Sequence, residues 1–427
     1  MIKLLYSLFI TILYIPYICI IYFRIFLKKE HTSKYKEKIF LNKNTRPEGF
    51  LFWFHVASIG ELNSIFPIID FYIKKNNKYK FIITTITLSS FYEYEKKYGN
   101  NDRVHHQFLP YDFEPLIENF FRNWKPDFVS FVDSEIWPNF ILKIKEKKLP
   151  FILLNARITN KSFKRWSVIK NFATKLFDSF SLCIASSEET KNYLNFFNTK
   201  KTKFFGNIKF CSSVNILKRF NSDEIDLIKD KKTWCAISTH NGEEIICANI
   251  HKILKKSQKD LLTIIIPRHI HRNKKISLEI EKMGLKVQIK NENQAFDKSA
   301  EIILVNYFGS VKKYLHSFKQ VFIGKSFLKK LKKVGGQNPI DAAKLGCYIY
   351  HGPYVSNFKE IYKHLDENEF SCEVQTPKEL EKKLIENFKE KLNKDHKNIE
   401  KLNIYSAKIF DNVIKEYENL LNANFKT

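Results

Sequence analysis

The chain contains no Cys-x-x-Cys pair: its cysteines (19, 183, 211, 235, 247, 347 and 372) stand singly, and their number, seven, is odd. That spacing excludes a disulfide framework or a cysteine zinc site and fits a reducing compartment. There is also no zinc-finger, RNP or basic-zipper pattern and no basic arm or tail. Yet Lys and Arg number 72 against 45 Asp and Glu, a net charge of +27. Spread charge of this kind does not single out nucleic acid; it suits a membrane surface or an anionic substrate. Nor is there any charge from Leu4 to Phe23, twenty residues, enough to span a bilayer's hydrocarbon core. No small-x-small cleavage site follows, so a removable signal peptide is not expected.

Arg24, Lys28 and Lys29 come directly after the apolar run, then Lys34, Lys36 and Lys38; only Lys3 and the amino terminus precede it. The positive-inside rule places the bulk of the protein in the cytoplasm, on the inner membrane. Whether the helix spans or lies in the interface plane is open. Pro16 and Tyr6, Tyr14, Tyr17 and Tyr22 fit either. A chain of 427 residues, 44% hydrophobic, then has room for two ordinary domains.

Phe50–Val56 is bulky, apolar and aromatic, as a buried strand would be. Ser58-Ile59-Gly60 turns the chain. From Glu61 the apolar positions Leu62, Ile65, Phe66 and Ile69 recur at helical spacing. Glu61 therefore stands at the carboxyl end of a strand, the rim where open α/β sheets bind ligands. Ser58-x-x-Glu61 also matches a capping box, which gives the same glutamate a purely local role. Further strands are expected at 81–86, 105–109, 128–132, 151–154, 182–185 and 203–205, with helices between. A joining stretch follows from Lys209 to Lys232. The pattern restarts with strands at 233–237, 261–266, 287–289, 302–305, 320–323 and 348–350. Helices are expected to open at Gly309 and at Gly335-Gly336, and a charged helical tail to start at Pro377. Alternation of this kind means βαβ units and parallel sheets. The segments Leu62–Tyr72 and Phe163–Phe180 are aromatic enough to meet lipid, though core packing is the expected fate of most of them.

Nine pieces in order give the chain a resemblance to one family. They are the amino-terminal anchor, His55-Val-Ala-Ser-Ile-Gly-Glu61, Asp133-Ser-Glu135-Ile-Trp-Pro-Asn139, Asn155-Ala-Arg157, Gly206-Asn-Ile-Lys-Phe210, Ser238-Thr-His240-x-Gly-Glu-Glu244, Pro267-Arg-His269, Gly335-Gly-Gln-Asn-Pro339 and Gly352-Pro-Tyr-x-x-Asn-Phe358. Together they resemble the 3-deoxy-D-manno-octulosonic acid (Kdo) transferases of lipopolysaccharide synthesis. The resemblance implies a GT-B fold: an anchor over 1–29, a Rossmann-like acceptor domain over 30–215, and a CMP-Kdo-binding domain over 216–427 that includes the C-terminal helix. It implies transfer of Kdo from CMP-Kdo to lipid IVA with inversion, no metal and no cofactor. Glu61 matches the catalytic base. Glu135 would position the acceptor or stabilise the transition state, with Asp133 as the other acid of that motif. Lys209 would meet an anionic group of the donor. Arg268, His269, Gly309, Ser310, Val311, Gly335, Gly336, Gln337 and Asn338 would hold CMP, with Asp341 standing where a longer acid would meet the ribose. Taken without the resemblance, Arg268 and Lys209 are two basic residues among many. The rival readings are a GT-B enzyme using another sugar nucleotide, and an inactive membrane-bound binding homologue.

Overall fold

In a computed structural model, which describes residues 2–197, 199, 201–214, 219–389 and 395–425, the chain divides into two compact units. One is Met1–Ser213 with Ser406–Thr427; the other is Val214–Tyr405. The first is built on a seven-stranded sheet: β1 (Phe50–Val56), β2 (Tyr79–Thr85), β3 (Val104–Phe108), β4 (Phe128–Val132), β5 (Phe151–Ala156), β6 (Leu182–Ala185) and β7 (Thr202–Phe204). Its order is β3-β2-β1-β4-β5-β6-β7, and every pairing is parallel. Parallel strands are covered on both faces, so they read as continuous apolar runs rather than alternating ones. The run Leu51–Phe54 is fully buried for that reason. Trp53 anchors one face, its ring 4.6 Å from Phe120 and 5.1 Å from Phe131. Each large apolar side chain sealed this way contributes about 1.5–3 kcal/mol.

The second unit repeats the plan with β8 (Lys232–Thr239), β9 (Leu261–Pro267), β10 (Val287–Lys290), β11 (Ile302–Val305), β12 (Gln320–Ile323), β13 (Tyr348–His351) and β14 (Ser371–Glu373). The order is β10-β11-β9-β8-β12-β13-β14, again parallel throughout. The strand order reverses at β1/β4 in the first sheet and at β8/β12 in the second. Such switch points open a crevice outside the carboxyl ends of the strands.

One expectation is corrected, and two elements were not anticipated. The tail does not all belong with 216–427: from Ser406 it packs on the first sheet. The cause is one aromatic face. Tyr417 stacks 5.4 Å from Phe128 and its hydroxyl lies 2.8 Å from that of Ser130, while Phe425 meets Phe50 edge-on at 4.8 Å. The connector carries a helix, Ser222–Lys229, begun by a full capping box between Asn221 and Glu224; residues 215–218 of it lie outside the described residues. And β14, three residues at a sheet edge, went unanticipated because so short a run has no period to read. The two aromatic segments are in the core: Leu62, Phe66 and Tyr72 are buried, as are Phe172, Phe177 and Phe180, with Phe163 and Trp166 packed against them.

Candidate active site

The β1 strand runs straight into the Ile59–Lys75 helix, and Ser58 caps that helix by accepting from the Glu61 amide. The Glu61 carboxylate bends back to its own turn, taking the Ala57 amide and the Ser58 hydroxyl at 2.7 Å each. The local capping role is therefore real. It is not the whole account, because the group is 9% exposed and sits in a field of other charges. Burial, and then the negative charge of Asp133, push its pKa up from the ordinary glutamate value, against the opposing pull of Ser58, Ala57 and Lys209. A carboxylate raised in this way is a stronger base than an exposed one.

Asp133 ends β4 across the switch point. Its backbone is left-handed (φ 63°), a conformation an aspartate tolerates better than most residues. The turn is fixed because its amide donates to the Leu154 carbonyl and its own carbonyl accepts from Arg157. Its carboxylate holds the Lys209 ammonium at 2.9 Å, with 5% and 15% of the two side chains exposed. Lys209 sits on a short 3-10 turn, Ile208–Cys211, whose start is tied to β5 where the Ile208 amide donates to Asn155 Oδ1. Asn155 is also left-handed (φ 52°). Three motifs far apart in sequence thus converge on one carboxylate–ammonium pair beside Glu61.

Glu135 is placed differently. Its Oε2 accepts from Trp137 Nε1 at 2.8 Å and lies 3.1 Å from His55 Nε2. The other ring nitrogen of His55 faces Thr84, 3.0 Å from its hydroxyl, and Thr84 in turn accepts from Trp53 Nε1 at 2.9 Å. A buried line thus runs from the core tryptophan to Glu135. His55 was not among the expected site residues, although it heads the motif that ends in Glu61 and is the one polar residue of an otherwise apolar strand.

In the second unit Arg268 and His269 are exposed on the loop after β9, and the Arg268 amide is fixed to the Thr239 carbonyl. Across the switch point, Glu243 collects four backbone amides, those of His240, Lys325, Ser326 and Phe327, at 2.6–3.1 Å. This pins the loop after β12 to the loop after β8. It leaves Lys325 left-handed (φ 63°). Desolvation, and then the charge of Arg268, lower the Lys325 pKa. Two cations are held near each other, an arrangement an incoming anion relieves. Neither Glu243 nor Lys325 was foreseen, since their meeting depends on strand order alone. Gly324 makes the approach possible: a Cβ there would stand 2.6 Å from Thr239 Cα and 2.8 Å from Glu243 Oε2. Gly324→Ala is expected to cost about 1–3 kcal/mol by overpacking, read as a lower urea midpoint.

The glycine-led segments are not the bare helix starts the sequence suggests. Gly309 (φ 75°) and a buried Ser310 precede a helix of only seven residues, Val311–Ser317. Gly335 and Gly336 come before a helix of five, Ile340–Lys344, and the Gly336 amide is already spent on the Lys325 carbonyl. Gln337 accepts from the Tyr362 hydroxyl through its carbonyl, and the side-chain oxygen of the exposed Asn338 accepts from the Ile340 amide. Gly335 is required by closeness: a Cβ would lie 2.0 Å from the Tyr354 carbonyl oxygen. Lys312 and Asp341 join the two segments at 3.8 Å.

Two parallel α/β lobes with polar residues gathered at their switch points define the GT-B class. The fold is shared with UDP-GlcNAc 2-epimerase from Neisseria meningitidis (TM-score 0.56, 14% identity, 86% of this chain and all of that one). It is shared equally with the UDP-bound HepE protein of Anabaena (TM-score 0.57, 9% identity, 87% and 100%). Residues 29–212 match the family model described as 3-deoxy-D-manno-octulosonic-acid transferase (kdotransferase). The 3-deoxy-D-manno-octulosonic acid transferase of Rickettsia bellii is 31% identical over 377 residues, covering 87% of this chain and 88% of its own. That of Haemophilus influenzae is 26% identical over 344, covering 80% and 79%. The chain belongs to the Kdo transferase family and is a Kdo glycosyltransferase.

Proposed function

We propose that the chain transfers Kdo from CMP-Kdo to lipid IVA, with inversion at the anomeric carbon, on the cytoplasmic side of the inner membrane. The observation that carries this reading is Glu61: a desolvated carboxylate of raised pKa at the β1 rim, beside the Asp133–Lys209 pair. In the step proposed, Glu61 takes the proton of the acceptor hydroxyl. The freed oxygen pair forms the new bond at the anomeric carbon as the bond from that carbon to the phosphate oxygen breaks, and CMP departs with the electron pair. Lys209 supplies a cation for an anionic group of the substrates, and Asp133 fixes where its ammonium stands. Glu135, held by His55 and Trp137, acts as a positioning acid of the acceptor side.

Arg268 and Lys325 are the residues we assign to the departing phosphate, Arg268 by its planar fork and Lys325 as a point charge. His269, Gly309–Val311 and Gly335–Asn338 form the rest of the proposed CMP site, by virtue of the same sheet edge. Arg268→Ala and Lys325→Met are each expected to raise KM for CMP-Kdo by about 10- to 100-fold, the worth of one charge-assisted contact. Steady-state kinetics with CMP-Kdo varied would check this. Mass spectrometry of the lipid product, with CMP-Kdo and UDP-sugars offered in parallel, tests the reading itself: turnover of a UDP-sugar in place of CMP-Kdo would overturn it.

A further inference from the structure

The amino-terminal helix, Ile2–Phe26, is long and apolar enough to cross a bilayer. Its two sides are unlike. One side is tied to the folded unit along nearly its whole length. The Tyr6 hydroxyl donates to Asp112 at 2.8 Å and the Ser7 hydroxyl to Asn139 Oδ1 at 3.0 Å. Tyr14 donates to the Ile39 carbonyl and stacks 4.6 Å from Phe113, and Tyr17 stacks 4.3 Å from Tyr111. Ile10 and Ile21 are buried on the same side, and Arg24 closes it on Glu30 at 2.6 Å. The other side carries Leu4, Leu8, Ile12, Ile15, Phe23 and Phe26, each 57% exposed or more, which with the exposed Cys19 run in steps of three and four and make one stripe.

The distance along the axis from Tyr6 to Arg24 is about 27 Å at 1.5 Å per residue, close to a full hydrocarbon core. The stretch that would have to cross is therefore the stretch that is bound to the folded unit. Spanning in this state would carry Asp112 and Asn139 into lipid; Asp112 also caps the Pro138–Glu146 helix through the Asn139 and Phe140 amides and is fully buried. Unpaired or dragged polar groups of this kind cost several kcal/mol each in hydrocarbon. The geometry points to a different arrangement: this helix lies in the plane of an anionic bilayer surface, its outer stripe sunk among the acyl chains and its inner stripe docked on the protein. Charge complements the stripe. Lys3 precedes it and Lys28, Lys29 and Lys36 follow it, all exposed. The exposed Phe40 and Leu41, next to the carbonyl that holds Tyr14, continue the apolar face. The inference concerns how the protein meets lipid and is independent of which sugar it transfers.

Full-length protein carrying an epitope at each end, in sealed inverted inner-membrane vesicles, gives the test. External protease is expected to remove both epitopes; protection of the amino-terminal one would mean a span and overturn the proposal. Sedimentation with vesicles of phosphatidylethanolamine and phosphatidylglycerol is the second arm. Ile12→Lys with Ile15→Lys is expected to lower partitioning roughly a hundredfold, since two buried aliphatic side chains are lost and two charges gained. The melting temperature should hold, because both residues point away from the fold. Wild-type protein that stays in the supernatant, or a double variant that binds as well as wild type, would equally overturn it.

Discussion

Glu61→Gln is expected to lower kcat by about 10²- to 10⁴-fold, the usual worth of a general base. The fold should survive, because glutamine is isosteric and its side-chain oxygen can still accept from the Ser58 hydroxyl or the Ala57 amide. A melting temperature within a few degrees of wild type, together with lost Kdo transfer, would separate catalysis from capping. Full activity in the variant would leave Glu61 as a cap alone. The pH profile adds an independent reading. Burial and Asp133 raise the Glu61 pKa, so the base is protonated and idle at pH values where an exposed glutamate would already be ionised. The rate should therefore fall as pH drops through a value above the ordinary glutamate range, and stay level above it. In Glu61→Gln the residual rate should lose that acid limb.

Lys209→Met should be costly in both stability and rate. It strips the partner from a carboxylate that is 5% exposed, and breaking a buried pair from one side costs about 3–5 kcal/mol. Its second effect runs through charge. Lys209 lowers the Glu61 pKa and Asp133 raises it, so deleting the cation removes the charge that opposes Asp133, while the Ser58 and Ala57 hydrogen bonds remain. The acid limb should move to higher pH as overall activity falls. Adding Asp133→Asn to Lys209→Met should restore much of the stability, because the unpaired charge is gone, without restoring transfer. If Lys209→Met were as stable as wild type with an unmoved limb, the pair would have no part in the site. Denaturant melts and kcat/KM against pH give both answers.

How much of this was legible depends on the range of the forces involved. The β1 strand and the helix after it can be read residue by residue, because a bulky apolar run and a helical spacing are local signals. So can the alternation that yields two parallel sheets, and the run of motifs that gives the family. The glycines at 335 and 336 were visible as punctuation, but not their use: a close approach to Tyr354 and a bond to Lys325 rather than a helix start.

The sequence by itself determined the fold class, the family and the position of Glu61 at a strand's end, since each rests on near-neighbour patterns of burial and turn. Only the tertiary structure decided which charges meet. It set Lys209 on Asp133 rather than Glu135, gave Glu135 to His55, and used Glu243 to hold Lys325 near Arg268. It also turned the apolar leader into a helix with one face docked and one face bare. The physical reason is the same in each case. Ion pairing and packing fall off within a few ångströms, so they follow which strands lie side by side, and strand order is written in no single stretch of the chain.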